Sequence, residues 1–407
     1  MINEMKVLKD LEYTRTWGSK EELKAAKYIQ SVLKTIKLDS VLESFELNDA
    51  KKEKVSLEVT KPYKKKYNCE FYKLSGNTTN LTKEVVFVKD TEQVKKYDVK
   101  NKIVLVQGRL GFWAYKDITE GGAKAIIIGG GHLISEDKDI DRRELRETLS
   151  EKFGKLPILE CNIKDLYEMV QNNASEIKMT TVQKEFKCHS QNVVTKIKGE
   201  TDNTIIFTAH YDSTSLSKGS WDNASGSVGL MKIAEHFMKN KPHHNLIFVW
   251  CGSEERGLCG SKYYVKKHKK ELNKIDLCIN LDMIGATLGK FLACVTGEDK
   301  MVHYIEYMAS EHGKAVHVYQ DVYSSDSTPF ADNGIPGISF GQGNPATPIH
   351  CRFDNISLMH EPTLRDDIKF IVDFADRMAN SKVIPIKREM PDNIKEKIDA
   401  YLLRKKL

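Results

Sequence analysis

The chain has 407 residues, 40% of them hydrophobic, with 63 Lys and Arg against 57 Asp and Glu for a formal net charge of +6. That length supplies about two to three cores, and the composition excludes a disulfide-stapled miniprotein and a disordered or fibrous chain. The positive charge is too dilute for a nucleic-acid footprint, and neither a continuous apolar run of about 18 residues nor a signal-like N-terminus appears, so no membrane association and a cytoplasmic location are expected.

Residues 19–38 predict an amphipathic helix: Ser19 and Glu22 form a capping box, and Leu23, Ala26, Ile29, Leu33 and Ile36 recur at helical spacing. From about 51 to 185 the texture changes to short β-rich runs at 85–88, 103–106 and 125–128 between polar turns. This stretch reads as a domain inserted into another that opens with residues 1–50. Across 186–381, apolar runs at 204–209, 246–251, 277–281 and 338–340 alternate with helical stretches at 228–238 and 260–268. A closing helix is marked by Ile368, Ile371, Val372, Ala375 and Met378. The alternation predicts an α/β fold with a mixed, mostly parallel sheet flanked by helices. Residues 382–407 form a charged tail of helical character with no evident task.

Chemistry-bearing residues sit at the exits of those runs. The first leads into His210-Tyr211-Asp212, the second into Glu254-Glu255 and the third into Asp282; Asp222 and His350 lie on loops. In open α/β sheets the carboxyl ends of parallel strands line one crevice, so these residues are expected to converge. Singly, each has a plainer explanation. A His after a strand is usually a hydrogen-bonded structural residue, Asp222 could cap the helix it opens, and Glu254-Glu255 could be a solvated pair. As a set, two histidines and three carboxylates are the donors that zinc accepts. Five ligands exceed the usual three of one catalytic zinc and suit two zincs if one carboxylate bridges. Asp212, two residues beyond His210, is placed to accept the imidazole's other N–H. Glu254 is left as an acid beside the metals. The eight cysteines include no CxxC pair, so no zinc ribbon or thioredoxin-type motif competes with this reading.

The runs His210-Tyr211-Asp212, Asp222-Asn223-Ala224-Ser225-Gly226, Glu254 to Ser261 and Asn280-Leu281-Asp282-Met283-Ile284-Gly285 resemble the co-catalytic zinc aminopeptidases, a family that also includes glutamate carboxypeptidase and the transferrin receptor ectodomain. Ser325-Asp326 to Phe330, Gly334-Ile335-Pro336 and His350 to Asp354 continue the pattern in order. The resemblance spans about 190–380 and the helix at 19–38. Gly108 and the run from Gly121 to Ile128 resemble the protease-associated domain that such enzymes often carry as an insertion. The resemblance implies a zinc exopeptidase fold, with His210 and Asp282 on one zinc, Glu255 and His350 on the other, Asp222 bridging and Glu254 as general base. It also implies peptide substrates cleaved at a free N-terminus; cobalt or manganese could fill similar ligands. Ser327 stands where relatives commonly have His, and Cys351 where Thr often follows the last metal histidine. Ile349 occupies the place of a Tyr that some relatives use for the oxyanion, a task for which Tyr323 is the substitute. A carboxypeptidase or dipeptidase of the same fold would need a cationic pocket from Arg142, Arg143, Arg146, Arg256 or Arg352. A single-zinc glutaminyl cyclase and a non-catalytic receptor-like scaffold are the other readings; the retention of all five donors and Glu254 favours catalysis.

Overall fold

The computed structural model describes residues 1–134, 136–343 and 349–405; the tail's last two residues lie outside it. The chain divides into two compact units, one of residues 1–45 and 189–407, the other of residues 46–188.

In the first unit the sheet runs in the order His317–Gln320, Lys290–Thr296, Gly337–Gly343, Ile275–Asp282, Thr204–His210, Asn245–Cys251 and the last part of Glu176–Ile197. Gly337–Gly343, Ile275–Asp282, Thr204–His210 and Asn245–Cys251 are mutually parallel. Lys290–Thr296 pairs antiparallel with Gly337–Gly343, as does the 193–197 stretch with Asn245–Cys251. Thr204–His210 and Asn245–Cys251 are almost wholly apolar or β-branched between their ends because both faces are covered. Thr204–His210 is buried at every position. Its alternate residues Ile205, Phe207 and Ala209 join a core with the helices Glu4–Asp10, Lys20–Thr35, Gly226–Lys239, Lys300–His312 and Glu361–Ala379. Ile206, on the opposite face, packs with Tyr264, Val265 and Phe330 from Cys259–Lys267 and Thr328–Ala331. In register, His210 lies opposite Cys251, and Asp282 opposite Gly341, so the carboxyl ends come out at one edge.

The second unit has its own parallel strands, Thr78–Val88, Ile103–Gln107, Ala125–Gly130 and Ile158–Asn162, with Glu70–Phe71 antiparallel at the end. Leu105, Ile127, Leu159, Leu166 and Met169 are among its core residues.

The helix predicted at 19–38 covers Lys20–Thr35, and Ser19 caps it by accepting from the amide of Glu22. Its buried face is Glu22, Ala25, Ala26, Ile29, Val32 and Leu33, whereas Leu23 is exposed. The Glu22 carboxylate accepts from the amide of Gly18, one residue beyond the Ser19 amide that a standard capping box would use. The polar tail contains the helix Asp392–Tyr401. No helix among the described residues is long and apolar enough to cross a membrane.

Candidate metal centre at the sheet edge

His210 ends its strand, and Ser227 donates to its carbonyl at 2.8 Å, tying the strand end to the helix Gly226–Lys239. Asp222 lies in an irregular turn over Ser220–Ser225, with φ −107° and ψ 89° and a cis Asp222–Asn223 peptide. The helix begins only at Gly226, so Asp222 is not its cap. Asn223 fastens this turn to the neighbouring strand end. Its amide donates to the Leu281 carbonyl at 2.9 Å and its oxygen accepts from Gly226 and Met283 at 2.8 and 3.1 Å. Ser253, Met283 and His350 flank the site with φ of 56°, 62° and 60°. Non-glycine residues held there cost of order 1–3 kcal/mol each, a strain that clusters at functional sites.

The strand exits bring the predicted donors together as two overlapping triads. His210, Asp222 and Asp282 form one; Asp222, Glu255 and His350 form the other. His210 Nε2 lies 3.1 Å from Asp222 Oδ1 and 3.5 Å from Asp282 Oδ1. His350 Nε2 lies 3.0 Å from Asp222 Oδ2 and 3.1 Å from Glu255 Oε2. Asp222 thus turns one oxygen to each histidine. A tetrahedral zinc with ligands at about 2.0–2.2 Å separates neighbouring donors by roughly 3.3–3.6 Å, close to the spacings here. Asp282 Oδ1 and Glu255 Oε1 are buried without a hydrogen-bond partner, so acceptors are already desolvated and aimed inward. Such a set needs positive charge. Although burial opposes it, Glu254, Asp212, Asp222 and Asp282 hold His210 well above the usual imidazole range. His350, likewise opposed by burial, is pushed up to about 12 by Glu255 and Asp222. The residues therefore fit divalent cations.

Glu254 binds neither triad tightly; its Oε2 is 4.0 Å from His210 Nε2. Burial, reinforced by Glu255, Asp326 and Asp282, raises its carboxyl well above the ordinary value. Asp212 behaves differently from the sequence expectation. Its Oδ1 is 3.4 Å from His210 Nδ1, a long contact, while its two oxygens accept the backbone amides of Glu254 and Glu255 at 3.0 and 3.2 Å. It orients the Glu254-Glu255 turn first and the imidazole second. Tyr323 stands over the same edge. A Cβ at Gly341 would sit 2.7 Å from its hydroxyl and 2.5 Å from the Asp282 carbonyl, so only glycine leaves room there. Burial and then Asp282 push this phenol well above its ordinary value, which keeps it a donor.

Three buried residues that the sequence reading did not assign to the site support it. Asp354 accepts from the amides of Trp221 and Asp222 at 2.8 and 3.2 Å and from Ser217 at 3.1 Å. Arg15, wholly buried, donates to the carbonyls of Leu11, Tyr13, Tyr211, Lys218 and Gly219, pinning both ends of the loop that runs from Asp212 towards Asp222. Asp326 is fully buried, its carboxyl pushed up to about 7 by burial despite His210. Asp354 could have been noticed from its place four residues after His350; an isolated Arg15 gives no signal. Ser327, in the place of the relatives' histidine, pairs with Ser339 at 2.9 Å.

A parallel sheet edge presenting two histidine–carboxylate triads around a shared aspartate defines the class of site: a candidate two-cation centre on a mostly parallel α/β sheet. Residues 192–375 match the model of peptidase family M28. The chain is 31% identical over 197 residues to leucine aminopeptidase 2 of Trichophyton equinum, covering 46% of this chain and 38% of that protein. It is 28% identical over 263 residues to aminopeptidase YwaD of Bacillus subtilis (strain 168), covering 61% and 55%. The matched stretch thus spans well under two thirds of these relatives. Among solved structures, a zinc aminopeptidase from Bacillus subtilis superposes with a TM-score of 0.76 at 24% identity, over 95% of this chain and 98% of that one. A peptidase M28 precursor from Shewanella amazonensis gives 0.77 at 20% identity, over 95% of each. These two likenesses establish the fold.

Proposed function

We propose that the protein is a two-zinc aminopeptidase that releases residues from the free N-terminus of peptides. The observation that carries this reading is the division of the Asp222 carboxylate between His210 and His350, at 3.1 and 3.0 Å. His210 and Asp282 would hold one zinc, Glu255 and His350 the other, with Asp222 shared. When bound, such a pair lowers the pKa of water and polarises a carbonyl. Glu254 takes the proton of the attacking water and delivers it to the departing amine, a task suited by a carboxyl whose affinity for protons is raised. Asp212 fixes the turn that presents it. Tyr323 donates its hydroxyl to the oxyanion as the carbonyl becomes tetrahedral. The substrate's ammonium is attracted by the acidic cluster, which favours a free N-terminus over a blocked one.

Kinship with proteins named aminopeptidases supports this reading over a carboxypeptidase. So does the engagement of Arg143, one of the arginines that a carboxylate pocket would need, with Asp141 and Glu160. Retention of both triads and Glu254 disfavours a receptor-like scaffold. The second unit is proposed to be a protease-associated-like domain, supported by the run from Gly121 to Ile128 leading into a buried parallel strand.

The test is metal analysis with kinetics on a panel of aminoacyl anilides and N-blocked peptides, for the wild type and Glu254→Gln. Expected are two metals per chain in both, cleavage of free-amine substrates, and a loss of about 10²–10⁴-fold in the variant. Equal cleavage of blocked peptides, or an unchanged rate in the variant, overturns the reading.

A further inference from the structure

The family match ends at residue 375, and the polar tail follows it. After the helix Glu361–Ala379 the chain runs through the buried Ile384 and Ile386 into the helix Asp392–Tyr401. Ile394 and Ile398, one turn apart, are buried against Ala331 with Met390, and Val322 and Leu402 pack against them. The polar positions 393, 397 and 401 follow the same spacing and form a stripe beside this apolar one. Asn393 donates to Gln320 at 3.2 Å, Lys397 pairs with Asp321 at 3.1 Å and the Tyr401 hydroxyl meets Ser324 Oγ at 2.9 Å. Arg404 completes the row with a forked pair to Asp332, at 2.6 and 2.7 Å. Every one of these partners lies between 320 and 332, and three of them, Asp321, Val322 and Ser324, lie within two residues of Tyr323.

The inner side of that segment belongs to the site. Asn280, on the strand that ends in Asp282, donates to Ser325 at 3.1 Å, and Tyr323 overlies Gly341. Residues 321–327 form no helix or strand; Thr296 holds the Asp321 carbonyl at 2.7 Å and Ser339 meets Ser327 at 2.9 Å, but the Tyr323 carbonyl between them accepts local bonds, from the Ser325 amide at 2.8 Å and Thr328 Oγ1 at 2.7 Å. Segments with few buried apolar contacts open most readily. Phe330 anchors the far end of the segment in the core with Tyr264 and Ile335, whereas Val322, beside Tyr323, packs with the tail cluster of Met390, Ile394 and Ile398.

We propose that the helix Asp392–Tyr401 together with Arg404 is a positioning strap: it holds the 320–332 segment from outside and so sets where the Tyr323 hydroxyl stands. This rests on the reading of Tyr323 as the oxyanion donor. A reacting group displaced by about 1 Å can lose up to about 100-fold in rate without any change in the metal ligands.

The experiment uses the full chain with Arg404→Ala, Arg404→Lys and Ile394→Ser, each made also in a Tyr323→Phe background. Lys395→Ala, which removes an exposed side chain paired with Asp392 inside the tail, is the control. Arg404→Ala is expected to lower kcat about five- to tenfold with KM and metal content little changed, and Arg404→Lys to restore part of the loss. In the Tyr323→Phe background the same changes should add almost nothing, because they act through the hydroxyl already removed. Arg404 is half exposed, so its removal leaves the fold intact even if Ile394→Ser does not. If Tyr323→Phe is slow while Arg404→Ala turns over normally, the strap falls and the oxyanion role stands. Losses that multiply independently in the double variant also overturn the strap. If Tyr323→Phe is as fast as wild type, the oxyanion role fails and the strap with it.

Discussion

Glu22, in the first turn of an N-terminal helix, accepts a 3.0 Å hydrogen bond from Ser253, 231 residues away and immediately before Glu254. The same oxygen accepts from Ser190 at 2.8 Å, and the other from the Gly18 amide at 2.7 Å. Burial, and then the nearby Asp212, push this carboxyl up to about 8. Replacing Glu22 by Leu strands two hydroxyls and an amide, at about 1–3 kcal/mol for each group left unpaired. We expect Glu22→Leu to lower the unfolding midpoint and to reduce kcat about tenfold or more while metal content is kept, and Glu22→Gln to recover most of both. Urea titration and steady-state kinetics decide it; a Leu variant as active as the wild type disproves the coupling.

The shared carboxylate predicts unequal metal losses. Asp222→Ala removes a donor from both triads, whereas His350→Ala removes one from the second only. Elemental analysis after dialysis should therefore find less than one metal per chain in the first variant and about one in the second. Chelation of the wild type should lower its thermal midpoint, since a ligand that binds only the folded state stabilises it. Equal retention by both variants would show that Asp222 does not serve both triads.

Asp354 supplies the third expectation. It is buried and holds the Asp222 turn by two amides and a hydroxyl. Asp354→Ala should destabilise by about 2 kcal/mol or more and weaken metal retention, although Asp354 is in neither triad. Asp354→Asn, which keeps one acceptor oxygen, should be milder in both respects. Metal retention unaffected by the Ala change would separate this residue from the site.

Much of this architecture was legible because the physics behind it is local. The parallel strands carry apolar runs at 204–209, 246–251, 277–279 and 338–340, and the acids and histidine at or beyond the ends of the first three had to emerge at one sheet edge. What was not legible depends on contacts across long stretches of chain. Glu22 is spelled as a helix cap, and its sequence neighbours do not reveal Ser190 or Ser253. Leu23 fits the helical period as well as Ala25 does, but it is Ala25 that faces the core. Asp212 stands two residues from His210, yet that spacing does not show that the Glu254 and Glu255 amides claim its oxygens. The long strands Val41–Lys61 and Glu176–Ile197 escaped notice because their middles are exposed and polar, which erases the alternation that marks a strand.

The second unit carries a pH dependence of its own. Glu160 is fully buried; burial pushes its carboxyl up to about 8, because the Arg143 guanidinium, 3.5 Å from Oε1, and the Arg143 amide only partly compensate and Asp141 and Glu144 oppose ionisation. Arg143, opposed by its own burial, is raised by Glu160 and Asp141. A folded-state value above the unfolded 4.5 means that this group's stabilising contribution is complete below pH 4.5 and is lost as pH rises through about 8. The loss amounts to at most about 1.4 kcal/mol for each pH unit in that window. Glu160→Gln cannot ionise and should abolish this part of the slope. Urea unfolding of the full chain at pH 5, 7 and 9 should show the variant gaining on the wild type as pH rises, and a difference independent of pH would mean that the arginine holds Glu160 ionised throughout.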